Sequence, residues 1–200
     1  MTEDQREPST AEMTLLRHHG DAEATEGLLD FAVNVRSGGP PRWLLDRLAV
    51  ALDDLGRYPG ARLEQRATAA VAARHGRAPE EVALLAGAAE GFALLPALRP
   101  KLAALVHPCF TEPELALRQA GIPLHRVLLD PTDGFRLRPD AVPEQADLVV
   151  LGNPTNPTSV LHPAQAITSL LRPGRIVLVD EAFADAVPGE AQSLAHYRHE

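Results

Sequence analysis

Two hundred residues, 45% of them hydrophobic and 23% charged, are enough for one globular domain with a substantial core. The net charge of −8 argues against a nucleic-acid surface, which needs clustered cations facing phosphate. No apolar run approaches the roughly 18 residues of a membrane span, and a single cysteine excludes an internal disulfide. We therefore expect a cytoplasmic protein whose partners include neither a nucleic acid nor a membrane.

The first part of the chain predicts a tail and two helices. Residues 1–13 are polar and are expected to be disordered, and 28–34 form a short extended segment. Paired prolines and an apolar stripe predict a helix over 40–56. A second helix is expected over 61–75, where the following Gly76 ends it.

From residue 82 onward, short apolar runs alternate with helical segments of about ten residues. This alternation indicates βαβ units, and so an α/β fold with a mostly parallel sheet and flanking helices. The expected strands are 82–86, 102–107, 124–129, 148–152 and 176–180, and the expected helices are 88–98, 111–120 and 163–171.

Four short segments each follow one of these strands. They are Gly87-Ala88-Ala89-Glu90, Pro108-Cys109-Phe110, the six residues 153–158 (NPTNPT) and Asp180-Glu181-Ala182-Phe183. In open α/β sheets, ligands bind beyond the carboxyl ends of the strands. We therefore expect the four segments to lie together, at one edge of the sheet.

Each segment has a chemical interpretation and a plainer structural one. The amides of Gly87, Ala88 and Ala89 can face an anion at a helix start, or these small residues can simply permit close packing. Phe110 can stack on a planar ring or belong to the core. Cys109 lies two residues from His107, but that spacing alone gives little support for a nucleophile and its base.

The motif over 153–158 is the most specific local signal. Two Asn-Pro steps directly after a strand predict a rigid loop that aims an amide side chain. Asp180 ends an apolar strand, where its carboxylate can keep a ring nitrogen protonated or act as a Walker B acid. The second reading needs a Gly-x-x-x-x-Gly-Lys motif, and Lys101 follows Arg99-Pro100 instead. No Gly-x-Gly-x-x-Gly is present, and the histidines lack the spacing of a metal site.

Taken in order, these segments resemble the fold-type I pyridoxal-phosphate (PLP) enzymes of the class I/II aminotransferase group. The nearest branch comprises histidinol-phosphate aminotransferases and threonine-phosphate decarboxylases, in particular the actinobacterial members of cobalamin gene clusters. The resemblance runs from about Leu28 to Pro188. It implies PLP as cofactor, an amino acid or its phosphorylated derivative as substrate, a link to cobalamin or histidine biosynthesis, and a homodimer.

The resemblance also assigns roles to individual residues. It implies that 34–41 line the substrate pocket and that Tyr58 reaches the cofactor phosphate of the partner subunit. It implies that Gly87, Ala88, Ala89 and Glu90 form the phosphate-binding turn. It further implies that Phe110 stacks on the ring, that Asn156 bonds the phenolic oxygen and that Asp180 pairs with the pyridinium. Phe183 stands where many relatives carry a tyrosine bonded to that oxygen.

The family's Schiff-base lysine follows the Asp-Glu-Ala-Phe segment in a Ser-x-Lys context that these 200 residues do not contain. The resemblance therefore predicts an N-terminal arm over 14–60 and an incomplete PLP-binding large domain over 61–200, with little or no transaminase activity alone. Lys101 is expected to be a solvated loop residue. Amino transfer and decarboxylation both stay open, as do a non-catalytic binding or pairing module and an unrelated α/β phosphate-binding protein.

Overall fold

The structure is a computed structural model that describes residues 10–18, Gly27, Leu29, Asn34 and 38–198. It divides into two compact units, one formed by Met1–Arg17 with Leu85–Glu200 and the other by His18–Leu84. The extended segment predicted over 28–34 lies largely outside the described residues. Helix α1 (Thr10–Leu16) begins inside the tail predicted over 1–13, and Leu16 at its end is buried.

The unit His18–Leu84 is helical where it is described. Helix α2 (Arg42–Ala51) continues into a 3-10 turn, Leu52–Asp54, within the helix predicted over 40–56. Helix α3 (Ala61–His75) has the predicted bounds and ends at Gly76, whose left-handed backbone stops the helix. A further 3-10 turn covers Pro79–Glu81.

The other unit is built on a four-stranded sheet in which all neighbours are parallel. Its strands are β1 (Ala103–His107), β2 (Leu124–Leu128), β3 (Leu148–Gly152) and β4 (Ile176–Asp180), in the order β2-β1-β3-β4. Because the strands are parallel, their carboxyl ends share one edge. The predicted α/β class and parallel sheet are confirmed.

Three helices flank this sheet. They are α4 (Ala88–Ala93), α5 (Glu112–Gln119) and α6 (Ala164–Thr168). The predicted helix 88–98 is split, because α4 gives way to a 3-10 turn, Leu95–Leu98, that contains Pro96. Further 3-10 turns lie at Pro131–Asp133, Pro139–Ala141, Ala184–Ala186 and Pro188–Glu190.

Both faces of the sheet are covered by apolar side chains. Ala103 and Leu105 of β1 belong to a cluster with Phe92 of α4 and Leu117 of α5. The alternate residues of β1 and β3 belong to a second cluster, which includes Ile167 of α6. Burial on both faces explains why the central strands β1 and β3 are nearly continuous apolar runs rather than alternating patterns.

The strand expected over 82–86 does not form, and this prediction is wrong. The described backbone there is irregular, and the side chains of Leu84 and Leu85 are 42% and 44% exposed. An apolar run predicts burial, but a strand also needs a partner for its backbone hydrogen bonds, which local sequence does not supply. In the described parts of the chain, no helix has the length and apolar character to cross a membrane.

Candidate functional site

A pocket of about 190 Å³ opens at the carboxyl edge of the sheet. It brings together residues from all four of the segments that follow the predicted strands, which confirms that these segments converge. The lining residues are mainly apolar: Ala88, Phe92, Cys109, Phe110, Pro113, Val150, Leu151, Gly152, Pro154, Asn156, Asp180, Ala182 and Phe183. Such a slot, with few polar groups, suits a flat ligand that carries a small number of hydrogen-bonding atoms.

The turn before α4 contributes Ala88 to this pocket. Gly87 has φ +85° and ψ 171°, a backbone region that residues with a Cβ rarely adopt. The Glu90 carboxylate accepts a hydrogen bond from the Ala86 amide at 2.5 Å, so this side chain braces the turn from within. Gly87, Ala89 and Glu90 are not among the residues that line the pocket.

Phe110 forms one wall, in the short connection between β1 and α5. Its ring lies 6.2 Å from that of Phe92, tilted by 49°, and both rings border the pocket. This packing fixes the plane of Phe110 without enclosing the ring entirely. The residue therefore has both of the features that the sequence left as alternatives, since it touches the core and also faces the pocket.

The Cys109 thiol is unsuited to act as a nucleophile. Its Sγ lies 3.6 Å from Nδ1 and 3.7 Å from Nε2 of His107, so it is aligned with neither nitrogen lone pair. Burial, and then the negative charge of Glu114, raise the pKa of Cys109 to about 12. A thiol so reluctant to ionise is inert at neutral pH.

The two asparagines of the 153–158 motif have different tasks. Asn153 is buried, and its side chain accepts a hydrogen bond from the His162 amide (2.7 Å) and donates one to the His162 carbonyl (3.2 Å). The Thr155 hydroxyl donates to the Gly152 carbonyl at 2.9 Å. Asn156 lines the pocket, and within the described residues its side chain makes no hydrogen bond. The Asn153 amide thus holds the loop in place, and the Asn156 amide faces the pocket.

Asp180 is the acidic group of the pocket, at the end of β4 beside Gly152 of β3. Burial raises the pKa of its carboxyl, although a hydrogen bond from the Ala182 amide at 3.1 Å acts in the opposite direction. Among the described residues no cationic side chain forms an ion pair with it. A cationic ligand atom would therefore gain a half-buried carboxylate that has no other cationic partner in the described residues.

A buried ionic cluster behind the pocket was not predicted from the sequence. The Glu114 carboxylate is fully buried and contacts His107 Nε2 (3.1 Å), Arg118 Nε (2.6 Å) and Arg126 Nε (3.0 Å). Burial by itself would raise the pKa of Glu114, but hydrogen bonds from His107, Arg126 and Arg118 outweigh it and hold that pKa well below the ordinary range. Only the spacing of Glu114 and Arg118, four residues apart on α5, was visible locally, and such spacing is usually a surface pair.

The remaining predicted site residues lie in the other compact unit. Tyr58 is 99% exposed, and the segment 34–41 is described only in part. Their proposed contacts with substrate and with a partner subunit stay predictions. In the described residues no group of three or more histidine, cysteine or acidic side chains is placed to hold a metal ion.

Comparison with known proteins supports the resemblance. A histidinol-phosphate aminotransferase of Mycobacterium tuberculosis is 57% identical over 186 residues, which cover 93% of this chain and 50% of the relative. The threonine-phosphate decarboxylase of Salmonella typhimurium is 35% identical, over 82% of this chain and 47% of the relative. The chain thus spans about half the length of the curated relatives it matches.

Solved structures show the same fold. A histidinol-phosphate aminotransferase from Sinorhizobium meliloti, in complex with pyridoxal-5'-phosphate, superposes with a TM-score of 0.63 at 23% identity. The match covers 76% of this chain and 44% of that one. The family model described as aminotransferase class I and II matches residues 26–199. The chain therefore belongs to the class I and II aminotransferase family.

Proposed function

We propose that this chain supplies part of the PLP site of an aminotransferase that acts on an amino acid or its phosphorylated derivative. The observation that carries the proposal is the pocket itself. It places an aromatic wall (Phe110), a free amide (Asn156) and a half-buried carboxylate without a cationic partner among the described residues (Asp180) around one small apolar slot. When bound, PLP acts as an electron sink that stabilises negative charge at the substrate α-carbon.

The residues present fit the cofactor group by group. Asp180 would accept a hydrogen bond from the protonated ring nitrogen, and the low polarity of the slot would strengthen that pair. The Asn156 amide would donate to the phenolic oxygen, while Phe110 would stack on one ring face. Of the turn Gly87–Glu90 only Ala88 lines the pocket, and we propose that backbone amides of this turn receive the phosphate beside it.

The lysine that holds the cofactor aldehyde is not Lys101. The backbone amide of Lys101 is bound to Asp147 at 2.9 Å, just before β1 begins. The pocket lies at the other end of that strand, and five residues of strand span roughly 16 Å. We therefore expect the 200 residues alone to bind the cofactor without appreciable transaminase turnover.

Binding of pyridoxamine 5′-phosphate to the full chain tests the proposal directly. This form of the cofactor has no aldehyde, so it cannot react with Lys101 or with the chain's terminal amine. We expect binding to induce circular dichroism in the cofactor's absorption band, since the free molecule has no chiral environment there. ATP should not displace it. An absent signal, or displacement by nucleotide, would contradict the PLP site and favour the unrelated phosphate-binding protein.

Two asparagines of the same loop provide a matched pair of variants. Asn156→Ala should weaken binding by about 2- to 10-fold, the equivalent of one ordinary hydrogen bond, and leave the melting temperature unchanged. Asn153→Ala removes both bonds to His162 and should lower the free energy of unfolding by about 1–3 kcal/mol. Equal losses of stability in the two variants would contradict the division of tasks.

A decarboxylase is the second candidate, favoured by the 35% identical threonine-phosphate decarboxylase. Both reactions would use the same ring-binding residues. We propose phosphorylated substrates for either, because both relatives are named for one. A role in cobalamin or histidine biosynthesis is part of the same proposal, and a relative named as an adenosylcobalamin biosynthesis protein supports the first. Assays of a complete enzyme with histidinol phosphate and threonine phosphate, followed by detection of transferred amino group or released carbon dioxide, separate the two.

A further inference from the structure

The segment that forms one wall of the pocket is clamped at both ends by one side chain. Pro108, Cys109 and Phe110 connect β1 to α5. His107, at the start of this connection, lies 3.1 Å from the carboxylate of Glu114, in the first turn of α5. The same carboxylate contacts Arg126 of β2, so it ties together the two strands and the helix that surround the segment.

This arrangement is an unusual way to stabilise a fold. Glu114 is fully buried, and Arg118 and His107 are 11% and 17% exposed, so these three groups are largely taken out of water together, while the Arg126 side chain stays 38% exposed. Buried ion clusters give little net stability compared with apolar residues of the same volume. What they provide is fixed geometry, because carboxylate oxygens and arginine nitrogens bond only in defined directions.

We propose that Glu114 is a positioning residue for the cofactor ring. Acting through His107, it fixes the 108–110 segment so that Phe110 stands at the stacking distance and Cys109 stays packed beside the slot. Pro113, which precedes Glu114, lines the same pocket, so the first turn of α5 is held in place as well. This role rests on the proposed PLP site, but the position of the segment can be measured without the cofactor.

Cys109, the only cysteine of the chain, reports that position. Its alkylation by iodoacetamide is measured without cofactor, and pyridoxamine phosphate binding is measured by induced circular dichroism. In Glu114→Gln we expect alkylation about ten-fold faster and binding about ten-fold weaker, with a changed dichroism of the bound ring. Because loss of the Glu114 charge by itself lowers the pKa of Cys109, the alkylation rate tests the position of the segment in His107→Leu, where that charge stays. Asp147→Ala, which loosens β1 at its opposite end, should alter neither readout.

A second pair of variants covers the case in which Glu114→Gln does not fold. His107→Leu removes the group that contacts Glu114 and should reproduce both effects, whereas His107→Gln keeps a donor and should restore most of the original behaviour. Unchanged alkylation and binding in His107→Leu would overturn the positioning role, as would equal changes in Asp147→Ala. A missing signal in the unsubstituted chain would instead overturn the proposed PLP site, and the role with it.

Discussion

The two ends of the parallel sheet use their polar residues in opposite ways. At the amino end, the Asp147 carboxylate accepts hydrogen bonds from the amides of Lys101 and Leu102. Arg175 donates there to four backbone carbonyls, those of Pro143, Glu144, Ala146 and Leu170. At the carboxyl end, Asn156 and Asp180 face the pocket. In the described residues the Asp180 carboxylate accepts one hydrogen bond, from the Ala182 amide, and the Asn156 side chain makes none.

This contrast separates polar groups that stabilise the fold from polar groups that are available to bind a ligand. A polar group that the fold uses is saturated by protein partners, so its loss should weaken the fold and leave ligand binding alone. A group kept for a ligand is under-saturated and partly buried, so its loss should weaken binding and spare the fold. Glu114 and Asn153 are exceptions at the carboxyl end, since the side chains of both are bonded within the protein and hold segments that border the pocket.

At the amino end, this contrast predicts a loss of stability without a loss of binding. Asp147→Ala leaves the Lys101 and Leu102 amides without their acceptor and should lower the free energy of unfolding by about 1–2 kcal/mol. Cofactor affinity should stay within two-fold of the original, because the pocket is a strand length away. Denaturant unfolding measures the first quantity and induced dichroism the second.

The matched control is Asp140→Ala. Asp140 is an exposed carboxylate, 3.3 Å from Arg138, and its removal should change the free energy of unfolding by less than about 0.5 kcal/mol. A similar loss in both variants would show that the bonds of Asp147 contribute no more than an ordinary surface charge. A large loss of cofactor affinity in Asp147→Ala would break the distinction between the two ends.

Local patterns were sufficient for the parts of the molecule that local physics determines. The sequence predicted β3, β4 and α3 with their observed bounds, because unbroken apolar runs and a helix-ending glycine leave few alternatives. The order of motifs predicted that Phe110, Asn156 and Asp180 would meet. The strand over 82–86 failed because its backbone needed a pairing partner that a local pattern cannot reveal.

Long-range partners account for what the sequence concealed. Glu114, His107 and Arg126 come from different elements, and no spacing rule connects them. The different tasks of Asn153 and Asn156 were equally hidden, because both stand in the same Asn-Pro context. Their environments differ only after the loop folds back to His162.

At the carboxyl end, Asp180→Asn should raise stability while it weakens binding. Burial raises the pKa of Asp180, so the folded state holds a proton more tightly than the unfolded chain, and stability falls as pH rises above the ordinary carboxyl range. Near neutral pH Asp180→Asn should therefore raise the unfolding free energy, by a modest amount because solvent screens a carboxylate that is only half-buried. The gain should vanish at a pH below the ordinary carboxyl pKa.

Binding should respond in the opposite direction. Loss of the charged partner for the ring nitrogen should weaken pyridoxamine phosphate binding by about 10- to 100-fold, as expected for a hydrogen bond to a charged group. Thermal unfolding at neutral and acidic pH, paired with a binding titration, checks both. A variant that loses stability at neutral pH would show that Asp180 is a structural carboxylate like Asp147.

The smallest effect concerns backbone strain in two turns of the sheet's loops. Gly174, in the turn before β4, has φ +77°, a value that suits glycine. In the loop at the carboxyl end, Ser159 holds φ +58° and donates its amide to the Thr155 carbonyl at 2.7 Å. A residue with a Cβ is strained in this left-handed region by roughly 1 kcal/mol.

Ser159→Gly should therefore raise the free energy of unfolding by about 0.5–1 kcal/mol. Gly174→Ala should lower it by about 1 kcal/mol. This loss would come from the backbone alone, because an added Cβ at Gly174 meets no atom within 4 Å. Denaturant midpoints of the two single variants measure both changes. If Ser159→Gly is neutral, or destabilises the chain, the serine side chain contributes contacts that offset its backbone strain. The loop at the carboxyl end would then be held by side-chain bonding, as Asp147 and Arg175 hold the amino end.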